Sequence, residues 1–312
     1  PELHRYPDAS GFELRQALAT KFSISTDQIL IGNGSDELIH LVGLLFLTPN
    51  SNMVVGKPSF VRYNAAAQIA GCELREVPLN ARYEFDVDAM AAACDSNTKI
   101  VWLANPNNPT GTITRRGELD RLLEKMPASA VLVLDEAYFE YACAEPDYPD
   151  SLDYLRRGAP VIGLRTMSKA YGLAGIRVGY GFAPVEIASA INGAKEPFSL
   201  NSLAQVAAIA ALSDADHVQN SLQLNEMGRR RLMEALLQLD VEPIESYANF
   251  VLVDMKQAAE PLFRAMLAQG VIVRSGHVLG LPECLRISIG TEYEVSRCID
   301  ALHAVLKKPV AP

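Results

Sequence analysis

The residues that could carry chemistry come directly after apolar segments of the sequence. Asp135 follows the apolar run Val131–Leu134, and an acid at such a position is costly to bury unless a cation or a hydrogen-bond donor meets it. Lys169 stands among apolar, small and glycine residues, which is unusual for a surface lysine. A desolvated lysine of this kind has a lowered pKa and acts as a nucleophile. Lys169 is therefore a candidate for a reactive amine.

Two loops that also follow predicted strands have the composition of ligand-binding turns. Gly32–Glu37 runs straight into a predicted helix, whose free N–H groups and positive dipole end suit an anion such as phosphate. Ser35 or Asp36 could equally be a simple N-cap. Asn105–Gly111 contains three Asn and two Pro, which either build a rigid turn or fix an amide side chain toward a ligand. Each loop by itself is a weak indication.

One cofactor accounts for these residues together. Pyridoxal phosphate needs a lysine for its aldehyde, a carboxylate for its pyridine nitrogen, donors at its phenolic oxygen and an anion site for its phosphate. Lys169 and Asp135 meet the first two needs. Asn108 and Tyr138 are the candidate donors, and Arg177 joins the glycine-rich helix start as the candidate anion site. Each residue has an ordinary structural explanation when taken singly, but jointly they indicate this cofactor.

The elements that must position these residues have the pattern of an α/β fold, a mostly parallel sheet flanked by helices. The runs Ile100–Leu103 and Val131–Leu134 are apolar without alternation, as expected of strands buried on both faces. In such sheets ligands bind at the carboxyl ends of the strands. The predicted strands are Gln28–Gly32, Asn52–Gly56, Glu73–Pro78, Lys99–Ala104, Ala130–Leu134, Val161–Arg165 and Val178–Phe182. The predicted helices are Phe12–Phe22, Ser35–Leu47, Phe60–Ala70, Asp86–Ala93 and Glu118–Lys125.

The C-terminal part of the chain has the pattern of a smaller α+β domain. A long amphipathic helix is predicted at His217–Leu239. It is followed by predicted strands at Asn249–Val253, Val271–Arg274 and Leu285–Ile289 and by helices at Ala258–Gln269 and Glu294–Lys307. We therefore expect a large cofactor-binding domain over residues 1–205 and a small domain over residues 206–312.

The composition is that of an acidic globular protein. The 312 residues include 28 Lys and Arg against 37 Asp and Glu, a net charge of −9, which argues against a nucleic-acid-binding surface. The cysteines and histidines show neither a disulfide framework nor metal-ligand spacing. The longest apolar run, Leu38–Leu47, is about half the roughly 20 residues that a membrane-spanning helix needs. We expect a cytoplasmic protein with no metal, membrane or nucleic-acid partner.

Four motifs in order along the chain resemble the fold-type I, class I/II aminotransferases, which use pyridoxal phosphate. These motifs are Gly34–Glu37, Asn108–Gly111, Asp135–Tyr138 and Ser168–Arg177. Within that family, three further strings resemble the histidinol-phosphate aminotransferases, namely Arg5–Asp8, Leu164–Ala170 and Cys284–Ile287. The resemblance covers essentially the whole chain.

The resemblance implies a role for each motif residue at the cofactor. Lys169 would carry the internal aldimine, and Asp135 would pair with the protonated pyridine nitrogen. Asn108 and Tyr138 would hold the phenolic oxygen, which tunes the pKa of the aldimine. The other cofactor contacts at the phosphate end would come from Gly34, the amides of Ser35 and Asp36, the Ser168 hydroxyl and Arg177.

Two aromatic residues complete the implied cofactor site. Phe60 occupies the place of the ring that stacks on the cofactor. Tyr6 matches a tyrosine that reaches the phosphate of the neighbouring subunit's cofactor, which implies a homodimer with shared sites. Family members also carry an N-terminal arm before this tyrosine, which contributes to the partner's substrate pocket, and we expect the sequence to lack it.

Arg286 matches the family's arginine for the acidic group of the substrate. Its guanidinium suits a carboxylate or a phosphate bidentately. Arg274 and Asn249 are candidate helpers, although a solvated strand-end charge explains Arg274 nearly as well. The implied reaction moves the amino group of histidinol phosphate to 2-oxoglutarate, giving imidazole-acetol phosphate and glutamate in histidine biosynthesis. Lys169 would serve first as covalent anchor and then as general base in a ping-pong cycle.

The residues leave three other functions open. An aminotransferase for aromatic amino acids and a threonine-phosphate decarboxylase share the fold and most of the cofactor motifs. A binding module that retains the cofactor without turnover is the alternative from a different class, and the full set of catalytic residues argues against it. The sequence also leaves open whether the acidic, aromatic segment Glu140–Asp150 covers the site.

Overall fold

The computed structural model describes residues 3–306, which form two sheets with surrounding helices. The large sheet consists of β1 (Ile29–Gly32), β2 (Asn52–Lys57), β3 (Glu73–Pro78), β4 (Thr98–Ala104), β5 (Val131–Asp135), β6 (Val161–Thr166) and β7 (Gly179–Phe182). The small sheet consists of β8 (Phe250–Asp254), β9 (Arg274–Ser275) and β10 (Cys284–Ser288). The helices are α1 (Phe12–Phe22), α2 (Ser35–Phe46), α3 (Arg62–Ala70), α4 (Val87–Ala92), α5 (Arg116–Lys125), α6 (Phe139–Ala142), α7 (Ser151–Arg156), α8 (Val185–Ala194), α9 (Ser202–Ser213), α10 (Ala215–Gln238), α11 (Ala259–Ala268) and α12 (Glu292–Leu306).

The large sheet is mostly parallel and brings one set of strand ends together. Its strand order is β1-β7-β6-β5-β4-β2-β3, and only β7 runs against its neighbours. The carboxyl ends of the central strands β4, β5 and β6 therefore lie side by side at one edge. In an open α/β sheet this is the edge at which ligands bind.

Helices cover both faces of the large sheet, which explains why its central strands are apolar without alternation. One face packs on α2, α3 and α8 around Trp102, and the other packs on α4, α5 and α7 around Leu132. Every residue of β5 is buried. The expected α/β architecture is confirmed, because a strand covered on both faces needs apolar side chains at odd and even positions alike.

The C-terminal part has its own core. The antiparallel sheet β8-β10-β9 packs with α10, α11 and α12, and Leu232 and Leu236 of α10 belong to that core. The helix α9 spans residue 205 and packs on α1, and its buried residues Ala204 and Ala208 join the core around α1. The domain division at residue 205 stays a prediction.

The predicted strands and helices agree closely with the structure except at a few places. The strand predicted at Val271–Arg274 is wrong in its bounds, since only Arg274–Ser275 pairs with the sheet. The helix predicted from Phe60 begins at Arg62. Lys307, the predicted end of the last helix, lies outside the described residues.

No helix within residues 3–306 is both long and apolar enough to pass through a membrane. The same residues contain no group of three His, Cys, Asp or Glu side chains that could hold a metal ion.

Candidate active site

A cavity of about 200 Å³ opens at the carboxyl ends of β4, β5 and β6, beside the start of α2. It brings together most of the residues that the sequence predicts for the cofactor. Its lining comprises Ser35, Asp36, Phe60, Tyr63, Ala104, Pro106, Asn108, Asp135, Ala137, Tyr138, Thr166, Ser168, Lys169, Ala174 and Arg177.

Lys169 is the amine of this cavity. It follows the end of β6, and its Nζ lies 5.2 Å from the centroid of the Tyr138 ring. Burial lowers the pKa of Lys169, and the positive charge of Arg286 lowers it further, while Asp135 acts in the opposite direction. A lowered pKa raises the fraction of neutral amine, which is the nucleophilic form.

Asp135 is the carboxylate of the cavity and is held by two donors. The Tyr63 hydroxyl donates to its Oδ2 at 2.6 Å, and the Ala137 backbone N–H donates to its Oδ1 at 3.1 Å. Burial raises the pKa of Asp135 to about 6, against the effect of both hydrogen bonds. A buried carboxylate with open lone pairs is a suitable partner for a protonated ring nitrogen.

The start of α2 and Arg177 form the anion-binding end of the cavity. Gly34 has a φ of +77°, and a side chain there would overlap the Arg177 guanidinium, so only glycine leaves room for it. Arg177 itself has a φ of +64°, an uncommon conformation for a residue with a side chain. Its guanidinium donates to Asp36 at 3.3 Å. Ser168 hydrogen-bonds the Thr166 hydroxyl, with 3.0 Å between the two oxygens.

Arg286 reaches this site from the small sheet. Its Nη1 donates to Oδ1 of Asn108 at 2.6 Å, and its guanidinium carbon lies 5.0 Å from the centroid of the Phe250 ring. Its buried Nε has no hydrogen-bond partner among the described residues. Burial lowers the pKa of Arg286, and neighbouring Arg274 adds to this effect. The guanidinium therefore has donors left for a ligand anion.

The remaining predicted residues lie at different distances from the cavity. Phe60 lines it and packs edge-on against Tyr63, with 5.7 Å between ring centroids. Arg274 is exposed and pairs across the small sheet with Arg286. Asn249 precedes β8, where its carbonyl accepts from the Ile289 backbone N–H. Neither Arg274 nor Asn249 lines the cavity.

Tyr6 lies away from the cavity of its own chain. Its side chain is 82% exposed, and its ring stacks on Phe198 with 4.7 Å between centroids. Together with Phe12 and Val206 it lines a separate surface groove.

Two residues that the sequence analysis did not single out contribute to the cavity. Tyr63 holds Asp135, and Thr166 holds Ser168. The only signal for Tyr63 is its position three residues after Phe60. Thr166 directly precedes the Met167-Ser168-Lys169 string, yet a threonine there also satisfies an ordinary turn.

A larger cleft of about 640 Å³ lies elsewhere, between the loop at Arg82 and Tyr83 and the segment at Glu242. Its lining carries surface charges of both signs, and neither Lys169 nor Asp135 belongs to it. Size is a weaker guide to chemistry than convergent buried groups with shifted pKa values. We therefore assign the active site to the smaller cavity.

Comparison with known families agrees with this geometry. Residues 1–302 match the family described as aminotransferase class I and II. The chain belongs to this family.

Three individual proteins are similar to this chain over nearly its whole length. Histidinol-phosphate aminotransferase 2 of Carboxydothermus hydrogenoformans is 40% identical over 306 residues, which cover 98% of this chain and 84% of that protein. The solved histidinol-phosphate aminotransferase of Sinorhizobium meliloti, in complex with pyridoxal-5'-phosphate, is 30% identical with a TM-score of 0.90 and covers 98% of this chain and 84% of that one. The solved L-threonine-O-3-phosphate decarboxylase of Porphyromonas gingivalis is 28% identical with a TM-score of 0.83, and the match covers 98% of this chain and 92% of that one.

Proposed function

We propose that this aminotransferase uses pyridoxal phosphate to move the amino group of histidinol phosphate to 2-oxoglutarate, a step of histidine biosynthesis. The observation that carries the proposal is that Lys169 and Asp135 line one cavity, with Arg286 joined to its wall through Asn108. The choice of amino donor is supported by the relative that is 40% identical over nearly the whole chain and bears the name histidinol-phosphate aminotransferase.

The donors and acceptors of the cavity fit this cofactor at each of its polar groups. All of the proposed contacts line the cavity: Asp135 would hold the ring nitrogen, Asn108 and Tyr138 the phenolic oxygen, and Ser168 with Arg177 the phosphate. When bound, the cofactor supplies an electron sink that stabilises negative charge on the α-carbon of the amino donor. Asp135 keeps the ring nitrogen protonated, because an ionised carboxylate favours a positive charge beside it.

Lys169 has two tasks in the reaction. Its neutral amine, favoured by burial and by the charge of Arg286, would hold the cofactor through the aldehyde carbon, whose oxygen would leave as water. Released by the substrate amine, the Lys169 amine would be the base that removes the proton from the substrate α-carbon and the acid that returns it at the C4′ position. The return half-reaction with 2-oxoglutarate uses the same residue in reverse order.

Arg286 binds the acidic group of each substrate in turn. Histidinol phosphate carries a phosphate ester where glutamate carries a carboxylate, and a planar guanidinium fork suits both anions. Arg274 lies opposite Arg286 in the small sheet and adds positive charge at this end of the site. Asn249, which directly precedes β8, is proposed as a helper.

The active enzyme is proposed to be a homodimer in which Tyr6 reaches the partner's cofactor phosphate. The Tyr6 side chain is largely exposed, and the exposed apolar side chains of Phe12 and Val206 line the same groove. Such a contiguous apolar surface is typical of an interface. A mixture of a Tyr6→Phe and a Lys169→Ala variant tests this. If the sites are shared, each mixed dimer has one site with both Lys169 and Tyr6 and therefore with the cofactor affinity of the wild type.

The enzyme is proposed to act in the cytoplasm, and its two units are proposed to divide near residue 205. All five cysteines are free thiols, as a reducing compartment favours. The helix α9, which spans residue 205, packs on α1 and so belongs with the large unit.

The experiment that tests the substrate is a panel of amino donors with 2-oxoglutarate as acceptor. Histidinol phosphate, phenylalanine, tyrosine and threonine phosphate are compared by kcat/KM, and carbon dioxide release from threonine phosphate is measured in parallel. We expect histidinol phosphate to exceed phenylalanine clearly. A wide preference for phenylalanine, or decarboxylation of threonine phosphate, contradicts the proposed substrate.

A further inference from the structure

A cluster of buried charges lies beside the cavity without lining it. We call Glu136, Asp150, Ser151 and Arg165 the buried ion cluster. The Arg165 side chain is 1% exposed and that of Glu136 is fully buried. Arg165 donates from Nε to Glu136 at 2.9 Å and from Nη2 to Asp150 at 2.7 Å. Ser151 donates its backbone N–H and its hydroxyl to the two oxygens of Glu136, at 2.8 and 2.6 Å.

The buried ion cluster is an expensive way to fill space. Glu136 and Arg165 leave water there while Asp150 stays partly exposed, and burial on its own would lower the pKa of Arg165 and raise that of Glu136. Well-packed apolar side chains of similar volume are often at least as stabilising as a buried ion pair. The cluster therefore calls for a role that apolar packing does not perform, which is to fix directions and distances.

The cluster joins the strand ends that carry the reactive groups. Glu136 directly follows Asp135, and Arg165 precedes by four residues the lysine Lys169. The Glu136 backbone N–H also donates to the Leu164 carbonyl at 2.8 Å. The ion pair therefore connects the end of β5 to the end of β6, one residue from Asp135 and four residues from Lys169 along the chain.

The segment before α7 extends this connection to β4. The Tyr148 hydroxyl donates to the Asn105 carbonyl at 2.5 Å, and Asp150 and Ser151 follow within the same segment. Gly163 makes the approach possible, since a side chain there would overlap Ser151. The C-terminal part of Glu140–Asp150 is thus packed against the strand ends, and Tyr148 is buried rather than placed over the cavity.

Aromatic packing prevents the Arg165 guanidinium from turning. Its central carbon lies 3.3 Å from the centroid of the Phe139 ring, with the Phe22 and Phe182 rings at 5.4 and 5.3 Å. A planar fork held in this way has one orientation in which both carboxylates are satisfied. A shift of either strand end would break one of the two pairs.

We propose that Arg165 is a positioning residue that, through Glu136 and Asp150, fixes the separation between Asp135 and Lys169. The inference rests on the function proposed above for those two residues. Misplacement of a reacting group by about 1 Å costs roughly 100-fold in rate. Loss of the two directed ion pairs is therefore expected to act on the chemical step and on the cofactor's surroundings, and to leave substrate binding by Arg286 nearly unchanged.

The test compares Arg165→Lys with Arg75→Lys in the full-length protein loaded with pyridoxal phosphate. A lysine keeps the positive charge but not the fork that reaches two carboxylates. Arg75 is the matched control because it also bridges two acids, Glu73 and Asp95, at a place away from the cavity. Three quantities are measured: the pH midpoint of the cofactor's absorbance change, kcat, and KM for the amino donor.

We expect Arg165→Lys to lower kcat by about tenfold or more, to move the absorbance midpoint by about half a pH unit or more, and to change KM by less than about threefold. Arg75→Lys should change none of them. An unmoved midpoint, or an equal effect of Arg75→Lys, overturns the inference. If Arg165→Lys does not fold, Glu136→Gln is measured by the same criteria. Wild-type protein without cofactor absorbance or turnover would instead refute the proposed function.

Discussion

Removing the Tyr63 hydroxyl gives a direct measure of what holds Asp135 in its ionised form. The Tyr63→Phe change deletes a 2.6 Å hydrogen bond to Oδ2 and keeps the ring stacked on Trp102, with 4.7 Å between centroids. A hydrogen bond to a charged group contributes about 1.5 kcal/mol or more, which corresponds to roughly one pKa unit. Because the bond favours the ionised carboxylate, its loss should raise the pKa of Asp135 from about 6 to roughly 7.

The assay is the binding of pyridoxamine phosphate to cofactor-free protein as a function of pH. This ligand has no aldehyde, so Lys169 forms no bond with it, and its own titrations cancel in the ratio of variant to wild-type affinity. The protonated ring nitrogen binds the ionised form of Asp135. At about pH 6.5 roughly three quarters of wild type and one quarter of the variant are ionised, so the variant should bind about threefold more weakly.

The pH dependence of the ratio decides the outcome. At about pH 8.5 Asp135 is ionised in both proteins, and the affinities should converge. Tyr180→Phe is the control, since Tyr180 is equally buried in β7 but does not line the cavity. A ratio that stays constant between the two pH values, or that grows at high pH, would refute the reasoning.

Three further changes test other parts of the site. Asp135→Asn should stabilise the cofactor-free protein near pH 8 by up to about 3 kcal/mol, seen as a higher melting temperature, because a carboxyl whose pKa is raised by burial loses its stabilising contribution as the pH rises through about 6. Near pH 4 this gain in stability should vanish, and an equal gain at both pH values contradicts the prediction. Gly34→Ala should weaken the binding of pyridoxamine phosphate at least about tenfold by displacing Arg177, and should have little effect on the binding of pyridoxamine, as measured by fluorescence titration. Equal losses of affinity for both ligands would exclude a phosphate-specific role. Arg286→Lys should lower kcat/KM about 100-fold for the amino donor and for 2-oxoglutarate alike while the cofactor absorbance stays unchanged, and a loss confined to one substrate would show that the two anions do not share this arginine.

The architecture was predictable because burial on both faces leaves a mark on each strand separately. The run Val131–Leu134, apolar without alternation, indicates a strand covered on both faces, and the carboxyl ends of such parallel strands place Asp135 and Lys169 at one edge. The exception is Val271–Arg274, which has strand-forming residues throughout. Only Arg274 pairs there, together with Ser275, since pairing depends on what the neighbouring strand offers and not on propensity alone.

The parts of the site that sequence did not predict depend on contacts between distant segments. Tyr63 and Asp135 are 72 residues apart, and nothing in either local sequence indicates their hydrogen bond. The buried ion cluster is a similar case. Arg165 occurs in a string that resembles a family motif, but its partner Asp150 comes from the segment Glu140–Asp150, whose position relative to the site the sequence left open. Long-range polar pairing has no periodicity that a single sequence displays.

The hydrogen bond between Arg286 and Asn108 has a consequence for how tightly any substrate can be held. An incoming anion finds Nη1 already bonded to Asn108 at 2.6 Å, while the Nε, which has no partner within residues 3–306, is left to donate to it. The guanidinium is therefore oriented before the anion arrives, and less side-chain entropy is lost on binding than with a free arginine. Each departing product leaves the arginine in the same orientation for the second reactant, so the bond to Asn108 keeps the site ready between the two half-reactions.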